Sequence, residues 1–540
     1  METFDYVIVG AGTAGCVLAE RLSSDGRTTV LVLEAGGSDR RLYIQLPIGY
    51  GRTVFDKRIN WMYETEPDAG LGGRRSYWPR GKVVGGSGSI NAMVYVRGQP
   101  QDFDDWQALG NPGWGWADVL PYFRKSEHFG GAACDHHAHG GLQNVTDITD
   151  AAHPLCGAFV EASVALGYAH SRDLNGAHSE GVGLYQINTA RGRRASTANA
   201  FLRPALRRGK VALRTKAQAT LIVFEGTRAV GVRYLQHGRE TEVRAAREVI
   251  LCGGAINSPQ LLQLSGIGDP ALLRRLGIAP IVSAPAVGQN LQDHLAVTYF
   301  YKSNCPTLND ELRPLLGKVR AALRYAWNRS GPLSMSVNQS GGFIRSDPAQ
   351  TAPNLQLYFS PVSYTQTPLA DRKLLNPDPF SAFLLSFNSC RPTSRGTVKI
   401  VSAEPFDYPI IQPNYLSTEH DVAEAVVGTR LLRQLAQTAP LSAIITSEII
   451  PGAHIEGDAA LLKDFRARAD TVYHPTSTCI MGPDPRAAVV DHRLRVHGVQ
   501  ALRVVDASVF PTITSGNTNA PVVMVAEKGA AMIIDDARRS

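Results

Sequence analysis

No run of about 18 apolar residues occurs anywhere in the 540-residue chain, so nothing in it reads as a bilayer-spanning helix. The first residues, Met-Glu-Thr-Phe-Asp, lack a basic segment leading into an apolar one, and the expected compartment is the cytoplasm. Cysteine is scarce and scattered. The seven (Cys16, Cys134, Cys156, Cys252, Cys305, Cys390 and Cys479) are odd in number and form no Cys-x-x-Cys pair, which argues against a disulfide framework and against a thiolate zinc site. Charge of one sign is also modest, at a net +7. The densest basic tract, Arg191 to Arg214, is broken by apolar residues and reads as a solvated surface, with no nucleic-acid partner expected. Internal repeats and low-complexity linkers are absent.

What is present is ordinary globular composition, 44% hydrophobic and 19% charged. The length exceeds one ordinary domain of about 100–200 residues, so two large or interleaved units are expected. Residues 4–10 form a short, β-branched, buried strand. Gly10, Gly12 and Gly15 then match G-x-G-x-x-G, Val17 to Leu22 continues as a helix, and a second strand from Thr29 to Leu33 ends at Glu34. Glycines let backbone approach a pyrophosphate at a helix N-terminus, and the acid after the second strand reaches ribose hydroxyls. Strand, helix, strand and acid in that order specify a dinucleotide site, but FAD and NAD share the ADP half and stay undistinguished at this point.

Two further segments bear on the choice. Arg80 to Met93 is a glycine- and serine-rich loop whose free N–H groups can wrap a phosphate or the polar edge of a planar ring. Glu248 to Pro259 is a buried strand delivered into a Gly-Gly turn, followed by a helix. An NAD-dependent dehydrogenase is disfavoured because the Gly85–Asn91 and Asn517–Asn519 segments have no role in one.

Together these segments resemble the glucose–methanol–choline (GMC) family of flavin oxidoreductases, over nearly the whole chain. The resemblance is carried by Gly85-Gly86, Ile90-Asn91, Tyr95, Arg97 and Gly98, by Gly254-Ala255 with Ser258-Pro259 and Ser265 to Gly268, and by Val287 to His294. Arg503 to Ser508 and Ser515 to Pro521 carry it near the end. It implies a Rossmann-like α/β FAD-binding domain with an interleaved substrate domain on a mostly antiparallel sheet. The expected segments are 1–155, 195–300 and 465–540 for FAD, 156–194 as a connecting segment, and 301–464 for substrate. It also implies FAD at Gly10, Gly12, Thr13, Ala14, Gly15, Glu34 and Ala35, at Val84, Gly86, Asn91, Ala92, Met93 and Val94, at Ala219, and at Tyr473, Asp506, Ala507 and Asn519. Relatives that attach the flavin covalently use a histidine where this chain has Ile90, so a dissociable FAD is expected.

The stretch Tyr473 to Gly482 carries almost no charge yet holds His474, with Cys479 five residues on. From the residues alone, His474 reads as a core histidine, as half of a metal pair, or as the activator of a cysteine nucleophile; the metal pair lacks a second pair at ligand spacing. The resemblance implies instead that His474 is the catalytic base and Asn517, with Asn519 as its competitor, the partner. Oxidising a primary alcohol removes a hydroxyl proton, which imidazole can take, while the hydride passes to flavin N5. Asn517 can donate to the developing alkoxide and does not titrate. The expected activity is therefore FAD-dependent oxidation of a primary alcohol to the aldehyde, closest in wording to the choline-dehydrogenase-like branch. Electrons then pass to a quinone or another non-oxygen acceptor. The alternatives are an alcohol oxidase using O₂ and, more distantly, a hydroxynitrile lyase. The tract Cys134-Asp135-His136-His137-Ala138-His139 has metal-like composition but reads as a polar surface loop, with no metal.

Overall fold

The computed structural model describes residues 2–365 and 376–539, so residues 366–375 of the expected substrate segment lie outside it. The chain begins β1 (Thr3–Val9), α1 (Thr13–Leu22) and β2 (Val30–Glu34). It contributes β3 (Gly181–Leu184) to a second sheet, then returns with β4 (Val211–Thr215), β5 (Ala217–Glu225), β6 (Arg228–Gln236), β7 (Arg239–Leu251) and α2 (Gly254–Leu264). Next come β8 (Leu295–Ser303), α3 (Leu315–Asn328), β9 (Ser340–Ile344), β10 (Leu355–Ser360), β11 (Ala382–Ser389), α4 (Glu419–Gln437), β12 (Ile445–Ile450) and β13 (Asp470–Thr471). The chain closes with β14 (Leu502–Val504) and α5 (Asn519–Arg539).

The first sheet has the order β4-β2-β1-β7-β6-β5, with β14 also on β7. Its β4, β2, β1, β7 and β14 pairings are parallel, while β5, β6 and β7 form an antiparallel meander. Tyr6 to Val9 of β1 and Val30 to Leu33 of β2 are continuous apolar runs because helices and loops cover both of their faces. The second sheet, β12-β8-β11-β10-β9-β3 with β13 also on β8, is antiparallel at every pairing.

Each sheet anchors its own core, one around Val7, Ile8 and Leu31, the other around Val297, Leu357 and Phe387. Helix α4 packs on the second sheet. It starts at Glu419, where the Thr418 side chain accepts from the Asp421 N–H and caps it. Strand alternation splits Tyr358 from Phe359. The latter is fully buried among Phe159 and Phe383, whereas Tyr358 faces the space between the sheets.

Candidate active site

A cavity of about 760 Å³ runs from the glycine turn after β1 to His474 and Asn517. Its first end is built by the β1–α1–β2 unit. Gly10 has φ +105°, and a Cβ there would lie 2.5 Å from the Cys252 carbonyl oxygen, so only glycine lets this turn pass beneath the β7–α2 turn. Gly12 caps α1 with no side-chain hydrogen bond, leaving the first N–H groups of the helix directed at the cavity. Glu34 accepts from the N–H groups of Ala11 (3.0 Å) and Gly36 (2.8 Å), and burial pushes its pKa up to about 7. At the second glycine turn, Asp506 accepts from the Gly254 N–H at 2.8 Å and from the Ser258 and Ser508 hydroxyls.

Of the residues expected to hold the cofactor, Gly10, Gly12, Thr13, Ala14, Glu34, Ala35, Gly86, Asn91, Ala92, Met93, Val94, Ala219, Tyr473, Asp506, Ala507 and Asn519 line this cavity. Two do not. A Cβ on Gly15 would lie 2.0 Å from the Gly10 carbonyl oxygen, so this glycine serves the contact between helix and strand. Val84 is buried in the core, its N–H bonded to the Gly37 carbonyl and its own carbonyl to the Ser89 hydroxyl. A glycine-walled cleft with an open helix end, a buried carboxylate and a second glycine turn fits a dinucleotide such as FAD.

The other end is set by strand register. In the antiparallel pair β8–β13, Leu295 faces Thr471, and the Val472 N–H donates to the His294 carbonyl. That register brings His294 and His474 together across 180 residues, with their Nδ1 atoms 3.0 Å apart. Tyr473, at φ +69°, sits in the left-handed region and turns the chain there. The His474 N–H donates to Asp293 at 2.8 Å, and Asp293 also accepts from Thr471 and Tyr415. Asn517 lies in the turn before α5, where Ser515 is tied to Asp102 through its N–H and hydroxyl. Its Nδ2 is 3.1 Å from His474 Nε2. Asn519 is engaged elsewhere, accepting from the Thr13 hydroxyl at 2.9 Å. Cys479 is buried and takes no part in this cluster; its N–H donates to the Ser508 carbonyl.

These contacts fix protonation. His294 Nε2 is 3.1 Å from the Cys390 carbonyl, which can only accept, so Nε2 carries the proton. Burial drives the His294 pKa down to about 4, so its ring is neutral and its Nδ1 is an acceptor. His474 must then donate through Nδ1. Its Nε2 lone pair faces the cavity, where the Asn517 amide donates to it. Burial first, then His294 and Arg80, hold the His474 pKa well below the ordinary value. Arg80 is itself half-buried, with its pKa lowered to about 10 by desolvation, and donates to the Tyr473 carbonyl at 2.6 Å. His294 and Asp293 are the site residues that motif reading does not assign a role; both stand in the Val287 to His294 turn.

The family models for GMC oxidoreductases match residues 4–296 and 392–526. This chain belongs to the GMC oxidoreductase family. It is 44% identical to human mitochondrial choline dehydrogenase, over 98% of this chain and 90% of that protein. It is 41% identical to an alcohol dehydrogenase [acceptor] of Pseudomonas putida, over 98% of this chain and 96% of that one. Among solved structures, pyridoxine 4-oxidase from Mesorbium loti superposes with a TM-score of 0.88 at 32% identity, over 98% of each chain. The chain is therefore a GMC-type oxidoreductase, and FAD is the cofactor this family binds. Among the described residues no helix is long and apolar enough to cross a membrane.

The histidine tract takes a different form from the expected surface loop. His137 is buried, its Nδ1 3.0 Å from Glu127 and its Nε2 2.8 Å from Asp173, and Arg97 donates to the same Glu127 at 2.8 Å. Burial would lower the His137 pKa, but hydrogen bonds to the two carboxylates outweigh it and hold the pKa up at about 9. His139 is exposed and turned to the Gly131 carbonyl. Among the described residues no group of His, Cys, Asp or Glu is arranged to hold a metal. The tract supplies a buried ion network that pins its loop to the core.

Proposed function

We propose that this GMC oxidoreductase oxidises a neutral primary alcohol to the aldehyde in the cytoplasm, holds FAD non-covalently, and passes electrons to a quinone or another non-oxygen acceptor. The observation that carries this reading is the line Cys390 carbonyl–His294–His474–Asn517, which leaves one imidazole lone pair facing a cavity a dinucleotide can fill. A substrate hydroxyl placed between His474 and Asn517 donates its proton to His474 Nε2 while its oxygen accepts from Asn517 Nδ2. His474 removes the proton, and the amide of Asn517 stabilises the alkoxide character that develops. When bound, FAD supplies the hydride acceptor. Tyr358 has a buried hydroxyl that lies beside the Asn517 side chain, where it can take a polar contact from substrate.

The preference for a neutral alcohol rests on the charged part of the cavity lining, which offers choline no free carboxylate. Its carboxylates are Glu34, Asp470 and Asp506, each already engaged, and Arg74, Arg80 and Arg468 line the same space. A quaternary ammonium needs an uncommitted anion or an aromatic cage without competing cations. Phe300, Tyr364, Leu384 and Val472 add apolar wall. Ile90 lines the cavity with a side chain that has no nucleophilic atom, which supports a dissociable flavin.

Anaerobic mixing of the holoenzyme with a set of primary alcohols tests the reading. Bleaching of the flavin band by a neutral alcohol is expected, with choline slower than its neutral carbon isostere. No bleaching by any alcohol would sink the proposal and point to the lyase. The likeness to an oxidase favours a second reading for the acceptor alone, and stoichiometric hydrogen peroxide in aerobic turnover would establish it.

A further inference from the structure

Helix α3 turns its apolar side outward. Leu315, Val319, Leu323 and Trp327 recur every fourth residue and so share one face, with Leu316 beside them. Their exposures are 77% for Leu315, 47% for Val319, 65% for Leu323, 91% for Trp327 and 79% for Leu316, whereas Ala321, on the opposite side, is 1% exposed. A surface helix of a monomer normally buries such a stripe. Here the buried side is held by Ala321 and Tyr325, packed with Leu46, Ile48, Leu308 and Val337.

Charge says what covers the outward face. No acidic residue occurs between Glu311 and Ser330, while Arg313, Lys318, Arg320, Arg324 and Arg329 fall in that interval. At 100° per residue, Lys318 flanks the apolar stripe on one side and Arg320 and Arg324 on the other. None of these five cations is in an ion pair among the described residues. An apolar ridge between two basic edges complements an anionic lipid surface: aliphatic and indole groups enter the acyl boundary while the cations meet phosphates. A second copy of this chain would bring like charges together along the same edges.

We propose that α3 is the docking face of the enzyme for an anionic bilayer, onto which the protein binds peripherally. The position of the helix gives this a consequence. Val337 packs under α3, Tyr50 and Tyr364 pack against the same cluster, and all three also line the catalytic cavity. The bound enzyme would thus hold its cavity one layer of side chains from the lipid, where apolar alcohols and lipid-soluble acceptors concentrate. Membrane binding itself does not depend on the proposed reaction, and its test reads binding alone.

The experiment is co-sedimentation of the holoenzyme with vesicles of equimolar phosphatidylglycerol and phosphatidylcholine, with pure phosphatidylcholine vesicles in parallel. The wild type is expected to pellet with the anionic vesicles, to bind pure phosphatidylcholine about tenfold more weakly or worse, and to be released by salt. The double variant Leu316→Ser, Trp327→Ser should lose about tenfold or more of the affinity for anionic vesicles, with flavin content and turnover on a soluble dye acceptor unchanged. Wild type left in the supernatant with anionic vesicles overturns the proposal, and so does a double variant that pellets equally well. A wild-type dimer that the double variant dissolves, without vesicle binding, assigns the face to a second copy and also overturns it.

Discussion

Replacing His294 by leucine tests the protonation argument without touching any group that lines the cavity. In the wild type, the His474 Nδ1–H has an acceptor 3.0 Å away in His294, and that contact keeps the Nε2 lone pair available. Leucine fills the volume but accepts nothing. The tautomer with hydrogen on Nδ1 then leaves a buried donor unmet, at a cost of about 1–3 kcal/mol. The other tautomer escapes that cost by presenting Nε2–H to the cavity, and Asn517 can flip its amide to accept from it. Taking about 1.5 kcal/mol as the shift, the base-competent tautomer falls roughly tenfold. The limiting rate of anaerobic flavin reduction in stopped flow should fall by that factor, with the substrate concentration at half-maximal rate changed by less than about twofold, because His294 contacts no substrate. Replacement by asparagine, whose side chain can still accept, should recover part of the loss. Leucine at 294 with a wild-type reduction rate, or a loss confined to substrate affinity, refutes the tautomer argument.

The pKa of His474 is depressed by burial, by His294 and by Arg80, so its base form persists as pH falls and the acid limb of flavin reduction should lie below 6.5. Asn517→Asp would set a carboxylate against the imidazole, favour the charged form, and move that limb up by about 1–3 pH units, read from the pH profile of the reduction rate. Gly10→Ala should yield protein with little retained flavin, measured by visible absorbance after purification, because its Cβ has no room at 2.5 Å from the Cys252 carbonyl oxygen. Gly26→Ala, also at positive φ but with nothing within 4 Å, is the control that should keep its flavin. His137 has a folded pKa raised to about 9, so its contribution to stability is complete below its ordinary value of 6.5 and is lost as pH rises through about 9. Thermal midpoints across that window should fall for the wild type and stay flatter for His137→Asn; parallel curves would remove His137 from the account.

Where function depended on neighbours in sequence, the sequence was readable. The glycine turn, α1 and the acid at the end of β2 lie within 25 residues of one another, and each obeys a local requirement of backbone freedom or helix polarity. Val84 shows the limit of that reasoning, since a loop residue beside cavity-lining glycines still turned into the core. His137 shows it too: composition marks a polar tract, but the partners that draw one histidine inside, Glu127, Asp173 and Arg97, are spread over 76 residues and share no periodicity.

His474 joins the two kinds of signal. The low charge of residues 473–482 signals burial, and burial alone accounts for much of the depressed pKa of His474. Which ring nitrogen carries the proton is decided by His294, and no spacing rule connects positions 294 and 474. Their contact exists because Leu295 is registered against Thr471 at the edge of β8; a slip of one residue would send the two rings to opposite faces of the sheet. Helix α3 poses the same problem in reverse. Its every-fourth-residue stripe is plain in the sequence, but a stripe says only that one side of a helix differs from the other. Its direction follows from the packing of Ala321 and Tyr325 onto the cluster beside the cavity, which commits the apolar side to face outward.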